Sequence, residues 1–113
     1  MADATTSWLR GSLELVVAAV LAESDQHGYA LAQRIEQAGL GSIRGGALYP
    51  VLGRMESAGL VEAHWQAGEG GPGRKVYRLT GSGHAMLSAD TARWREFAAA
   101  LDHLLEPTRE EPR

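Results

Sequence analysis

Between Ser12 and Glu23 the chain reads Leu13-Glu14-Leu15-Val16-Val17-Ala18-Ala19-Val20-Leu21, so apolar that a helix here must be covered on most of its sides. A domain this small can rarely enclose a helix with its own residues, so the run predicts cover from a second subunit. Enclosure within one chain is the alternative. Ser24 to Gly28 reads as a turn, and Tyr29 to Ala38 carries Leu31, Ala32 and Ile35 at helical spacing before Gly39 stops it. Gly39-Leu40-Gly41-Ser42 is the next turn. A third helix follows, with Leu48, Val51, Leu52 and Met55 on its core side and Ala47, Tyr49, Arg54 and Ser57 on other faces. Pro50 lies about one turn inside it and removes one backbone donor. Gly59 closes the helix, with Leu60 placed to fold back onto it.

From Val61 the period changes to two. Val61, Ala63, Trp65 and Ala67 face one way and Glu62, His64 and Gln66 the other, which is a half-buried strand. Gly68 to Gly73 is turn chemistry. On the returning strand Lys75, Tyr77 and Leu79 alternate with Arg74, Val76 and Arg78, and Tyr77 and Leu79 are assigned to the core. Thr80 is then an N-cap candidate for a last helix limited by Pro107. Leu87, Trp94 and Leu101 recur every seven residues there, as do Asp90, Phe97 and Leu104, with Ala85, Ala98 and Leu105 widening the stripe. Such a stripe would leave a large apolar patch on an isolated chain, so it predicts pairing with a second helix and hence a homodimer.

Composition bounds the remaining choices. The 113 residues suit one domain, and 44% hydrophobic with 22% charged residues is ordinary for a globular protein. The absence of cysteine excludes disulfides, thiolate metal sites and cysteine nucleophiles. No apolar stretch approaches the length of a bilayer span, so no membrane partner and a cytoplasmic location are expected. His27, His64, His84 and His103 form no metal-ligand spacing, and each reads as a turn, surface or structural residue. No cofactor, metal or catalytic set is expected. The net charge of −3 disfavours a nucleic-acid partner until its distribution is considered. Arg34 to Arg78 holds six basic residues against four acidic ones, whereas the remainder holds five against ten. Positive charge is therefore concentrated in the third helix and the hairpin.

A helix followed by a hairpin with cations near its glycine-rich tip is the reading half of a winged helix-turn-helix. The words Leu48-Tyr49-Pro50-x-Leu52-x-Arg54-Met55-Glu56-x-x-Gly59-Leu60 and Gly73-Arg74-Lys75-x-Tyr77-x-Leu79-Thr80-x-x-Gly83 closely resemble the PadR family of bacterial transcriptional regulators. Gly11-x-Leu13-Glu14-Leu15 and His27-Gly28-Tyr29-x-Leu31-Ala32 resemble it too, and the likeness runs from about Leu9 to Leu105. It implies a mainly helical fold with a small β-hairpin wing, and a single C-terminal helix that dimerises together with the first one. The expected organisation is a flexible tail over 1–8, a winged helix-turn-helix over 9–80, a dimerisation helix over 81–106 and a loose tail over 107–113.

The expected partner is double-stranded DNA carrying an inverted repeat. Its candidate contacts are Arg44, Tyr49 and Arg54 on or beside the third helix, and Arg74 and Lys75 on the wing. Gly45, Gly46 and Ala47 are small enough to let the head of that helix approach a groove closely. Gln33 and Arg34 are minor candidates for the DNA backbone. Arg54 paired with Glu56 or another neighbour, and Tyr49 packed in the core, are the competing readings. Trp8, Trp94, Phe97 and Leu101 are assigned to the dimer interface, where Trp94 and Phe97 either fill a core or line a cavity for an aromatic or apolar effector. The family's habit is repression. A winged-helix dimer serving only as a protein-interaction module, without DNA or effector, is the functional alternative.

Overall fold

The computed structural model describes residues 8–9, 11–68 and 70–107. The expectations for the tail through residue 7, for Glu69 in the acidic count and for the tail from Thr108 lie outside the described residues. Among the described residues the order is α1 (Leu13–Glu23), β1 (Gln26–His27), α2 (Gly28–Gln37), α3 (Gly45–Ser57), β2 (Val61–Gly68), β3 (Gly71–Leu79) and α4 (Gly81–Leu105). The three strands form one antiparallel sheet in the order β1-β3-β2. This is a winged helix with one long additional helix, as the sequence predicts.

The core lies where the three short helices meet the root of the sheet. Val17 of α1, Leu31 and Ile35 of α2, Leu48, Leu52 and Met55 of α3 and Val61 of β2 are its largest fully buried side chains. Burial of each stabilises the fold by about 2 kcal/mol. Tyr77 and Leu79 close the core from β3, as their strand parity requires. Gly59, at φ +77°, ends α3 in the left-handed region, and the Leu60 N–H reaches back to the Met55 carbonyl at 2.9 Å. Gly39 ends α2 in the same way. Pro50 leaves the Gly46 carbonyl without its usual helical donor, and both residues are exposed, so water can serve that carbonyl.

Three local expectations are corrected. The turn at Ser24 to Gly28 contains β1, a two-residue strand too short to show a period, with Gln26 opposite Tyr77 and His27 opposite Val76. The Gly68 to Gly73 turn is tighter than composition suggests, because β2 runs to Gly68 and β3 resumes at Gly71. Trp65 is not a core residue. It shares its strand face with Val61 and Ala63, but the hairpin outruns the helices beneath it, so Trp65 remains 71% exposed beside Lys75.

Thr80 caps α4, its hydroxyl accepting from the Gly83 N–H at 3.0 Å and donating to the Gly59 carbonyl at 2.7 Å. The helix begins against the domain, with Gly83 buried and Met86 and Leu87 packed on the core, and it packs beside α1. Past Thr91 it leaves the domain: Trp94, Phe97, Leu101, Leu104 and Leu105 are all exposed. The molecule is accordingly elongated, 70 × 34 × 20 Å.

Candidate nucleic-acid interface

The head of α3, the start of α2 and the wing converge on two consecutive residues, His27 and Gly28. Tyr49 lies one turn into α3, and its ring extends over both Gly45 of its own helix and Gly28 of α2. A Cβ at position 28 would lie 2.1 Å from the Tyr49 hydroxyl oxygen, and one at position 45 would lie 3.3 Å from the ring. Tyr49 is half exposed, neither a core side chain nor a free phenol.

His27 connects this platform to the wing. Its Nδ1 lies 3.4 Å from the Ala30 N–H, capping α2, and its Nε2 lies 3.0 Å from Nη1 of Arg74. The ring also stacks nearly parallel on Tyr29, with 6.5 Å between centroids, and Gln33 donates to the Tyr29 hydroxyl at 3.4 Å. Tyr49 and Arg74 therefore meet adjacent residues on one side of the molecule.

The strand register separates the two wing cations. Side chains alternate along a strand, and directly opposed residues share a face. Arg74, Val76 and Arg78 share one face of the sheet with His27 and His64, whereas Lys75 shares the opposite face with Trp65 and Tyr77. Lys75 Nζ is 3.6 Å from a Glu56 carboxylate oxygen and 5.5 Å from the centroid of the Tyr77 ring, so its charge is partly answered within the fold.

The remaining candidates divide. Arg44 is the exposed N-cap residue of α3, its side chain has no ion-pair or hydrogen-bond partner among the described residues, and it precedes the glycine beneath the Tyr49 ring. Gly46 is exposed with open space where a Cβ would be, and Ala47 is half-buried. Arg54 lies about 140° around α3 from Tyr49, and its Nε is 3.9 Å from Glu14 on α1. Arg34 is engaged by a two-pronged pair with Glu23, at 2.8 and 2.9 Å. The hydrogen bonds from Arg34 hold the Glu23 carboxyl below its ordinary pKa. Trp8 is exposed at the start of the described chain, and Trp94 and Phe97 stand 6.0 Å apart on distal α4.

Two further groups share this surface with the candidates. Arg78 was visible in the strand parity, since it shares a face with Arg74 and is exposed without an ion-pair partner among the described residues. His27 was not, because its neighbour on β3 is 47 residues away. No group of His, Cys, Asp and Glu among the described residues could hold a metal, and no described helix is long and apolar enough to cross a membrane.

Comparison with known proteins identifies the family. A family model described as the transcriptional regulator PadR-like family matches residues 17–89. The transcriptional regulator Rv3488 of Mycobacterium tuberculosis is 33% identical over 89 residues, covering 79% of this chain and 81% of that one. The crystal structure of a PadR family transcriptional regulator from Eggerthella lenta superposes with a TM-score of 0.81 at 34% identity, covering 91% of this chain and 89% of that one. A PadR-like transcriptional regulator from Bacillus cereus gives 0.79 at 28% identity, covering 89% and 98%. The matched model spans well over half of the sequence, and the chain belongs to the PadR-like family of transcriptional regulators.

Proposed function

We propose that the chain works as a homodimeric, sequence-specific DNA-binding regulator in the cytoplasm, a repressor that recognises an inverted repeat and is released by a small aromatic or apolar effector. The observation that carries DNA reading is the convergence of Tyr49 and Arg74 on His27 and Gly28. Helix head and wing thus present Arg44, Tyr49 and Arg74 on one continuous surface. Gly46 keeps the helix head open to a close approach, which fits insertion into a major groove with the wing on the flanking backbone.

Dimerisation is supported by the distal half of α4, where Trp94, Phe97, Leu101 and Leu104 form an exposed apolar stripe. α1 contributes beside it, since Leu15 and Val16 are only half-buried and Ala19 is exposed. Reading an inverted repeat with two copies requires two α3 helices about 34 Å apart, one turn of B-form DNA. The adjacent rings of Trp94 and Phe97 are the natural wall for a flat effector between the subunits.

In vitro selection from random duplex DNA tests the reading. Enrichment of inverted repeats with half-site centres about 10 base pairs apart, bound by two chains per duplex, is the expected outcome. Failure to enrich any duplex would favour the protein-interaction module instead.

A further inference from the structure

We infer that His27 is a positioning residue for the wing cation Arg74, and that it takes up a proton when a DNA phosphate arrives beside that cation. The inference rests on the DNA-reading function proposed above and assigns the phosphate seat within it.

A neutral imidazole carries one N–H donor and one acceptor nitrogen, and a guanidinium carries donors only. His27 has a donor at each nitrogen: the Ala30 N–H at Nδ1, 3.4 Å away, and the Arg74 Nη1 at Nε2, 3.0 Å away. Neither neutral tautomer serves both. With the hydrogen on Nδ1, the ring accepts from Arg74 and the α2 cap is lost. With the hydrogen on Nε2, the cap is kept and two N–H groups oppose each other. Stacking on Tyr29 disfavours the rotation that would relieve the conflict.

An anionic oxygen between the ring and the guanidinium removes it. Arg74 donates to that oxygen, and so does a protonated Nε2, in charge-assisted hydrogen bonds stronger than the ones given up. Several charged and titratable groups face the ring. On β3, Arg74 and Arg78 share the face of His27; on β2, His64 lies opposite Val76; on α3, the Tyr49 hydroxyl sits over Gly28; on its own segment are Asp25 and Tyr29. Glu62 faces Arg78 across the sheet, and Glu23 is engaged by Arg34. Among the described residues no carboxylate lies within ion-pair distance of the ring. A DNA phosphate would bring to the ring a negative charge that no described carboxylate supplies. Histidine is the side chain suited to make this exchange near neutrality.

Two measurements on the full chain test it, using the duplex recovered from the selection. The first follows affinity by fluorescence anisotropy at fixed ionic strength from pH 8 to pH 6. Wild type is expected to gain up to about tenfold per pH unit for each proton taken up. H27Q, neutral at every pH, should show a flat profile, and H64Q should keep the wild-type slope. The second needs no variant and so survives misfolding of H27Q: the 15N shifts of the His27 ring nitrogens at pH 7.5, with and without DNA. Movement of both toward the imidazolium value on adding DNA supports the assignment. A ring that stays neutral in the complex, or an H27Q profile as steep as wild type, overturns it while leaving DNA reading intact. Wild type binding no duplex at any pH overturns both.

Discussion

The hydroxyl of Tyr49 occupies the space that a Cβ on residue 28 would need, 2.1 Å from that position, so α2 and α3 approach each other closely only because residue 28 is glycine. In an open helix position Gly→Ala commonly stabilises by about 0.4–1 kcal/mol. Here the sign should reverse. G28A is expected to cost about 1–3 kcal/mol by overpacking. In a Y49A background the same change should be neutral or stabilising. Urea denaturation of the two single variants and the double variant measures this coupling, and simple additivity would refute the contact.

A second close approach anchors α4. A Cβ on Gly83 would lie 2.1 Å from the Leu60 carbonyl oxygen and 2.6 Å from Leu79 Cδ1. Unlike a tyrosine ring, that oxygen cannot swing aside, because it accepts the Thr80 N–H at 3.0 Å. G83A should therefore cost about 3 kcal/mol or more, since the helix itself must move. T80A loses the cap alone, about 1 kcal/mol. Equal losses in denaturation midpoint would contradict this ordering.

The two neighbouring wing cations should behave unequally towards DNA. Arg74 faces the same side as His27, whereas Lys75 faces the other side and lies 3.6 Å from Glu56. Loss of one phosphate contact lowers the slope of log affinity against log salt by about 0.9. R74A should lose that unit, and K75A should lose clearly less. A K75A slope at least as flat as that of R74A would place the lysine, not the arginine, on the phosphate.

That difference was legible in the sequence, since adjacent residues of a strand point to opposite faces. The same local logic identifies the core positions of α2 and α3, the left-handed stop at Gly59 and the Thr80 cap, because each depends on neighbours within a few residues. Trp65 lies on the face that parity gives it yet is exposed, because parity reports which face a residue shares, not how far the supporting helices extend. β1 was missed because two residues cannot show a period. The seat of Tyr49 over Gly28 and the contact of Arg74 with His27 join residues 21 and 47 apart. No spacing rule encodes them, and they are the contacts that assemble the surface.

The Glu23–Arg34 pair ties the end of α1 to α2 and gives a pH prediction with a definite sign. Its hydrogen bonds lower the folded-state pKa of Glu23. A depressed carboxylate contributes stability above its unfolded value, about 4.3, and that contribution disappears as pH falls through the lower folded value. The difference in melting temperature between wild type and E23Q should thus be constant from pH 7 to about 5 and close below about 4. The pair is exposed to solvent, so the difference should be small and should shrink with salt. A gap that widens on acidification would mean another group sets the trend.

The distal half of α4 bears on whether two copies associate at all. Phe97 is 60% exposed and Leu104 81% exposed in the single chain, and the family model ends at residue 89, before both of them. If a second copy covers the stripe, a carboxylate at either position would be desolvated without a partner, a cost of several kcal/mol for a buried charge. If the stripe faces water, the same substitutions cost almost nothing. F97D and L104D should therefore convert a species of twice the 12.1 kDa chain mass into one of that mass in sedimentation at micromolar concentration. They should leave the urea transition of the core intact, because neither side chain belongs to it. Wild type sedimenting as a single chain at that concentration would remove the dimer, and with it the paired geometry that an inverted repeat requires.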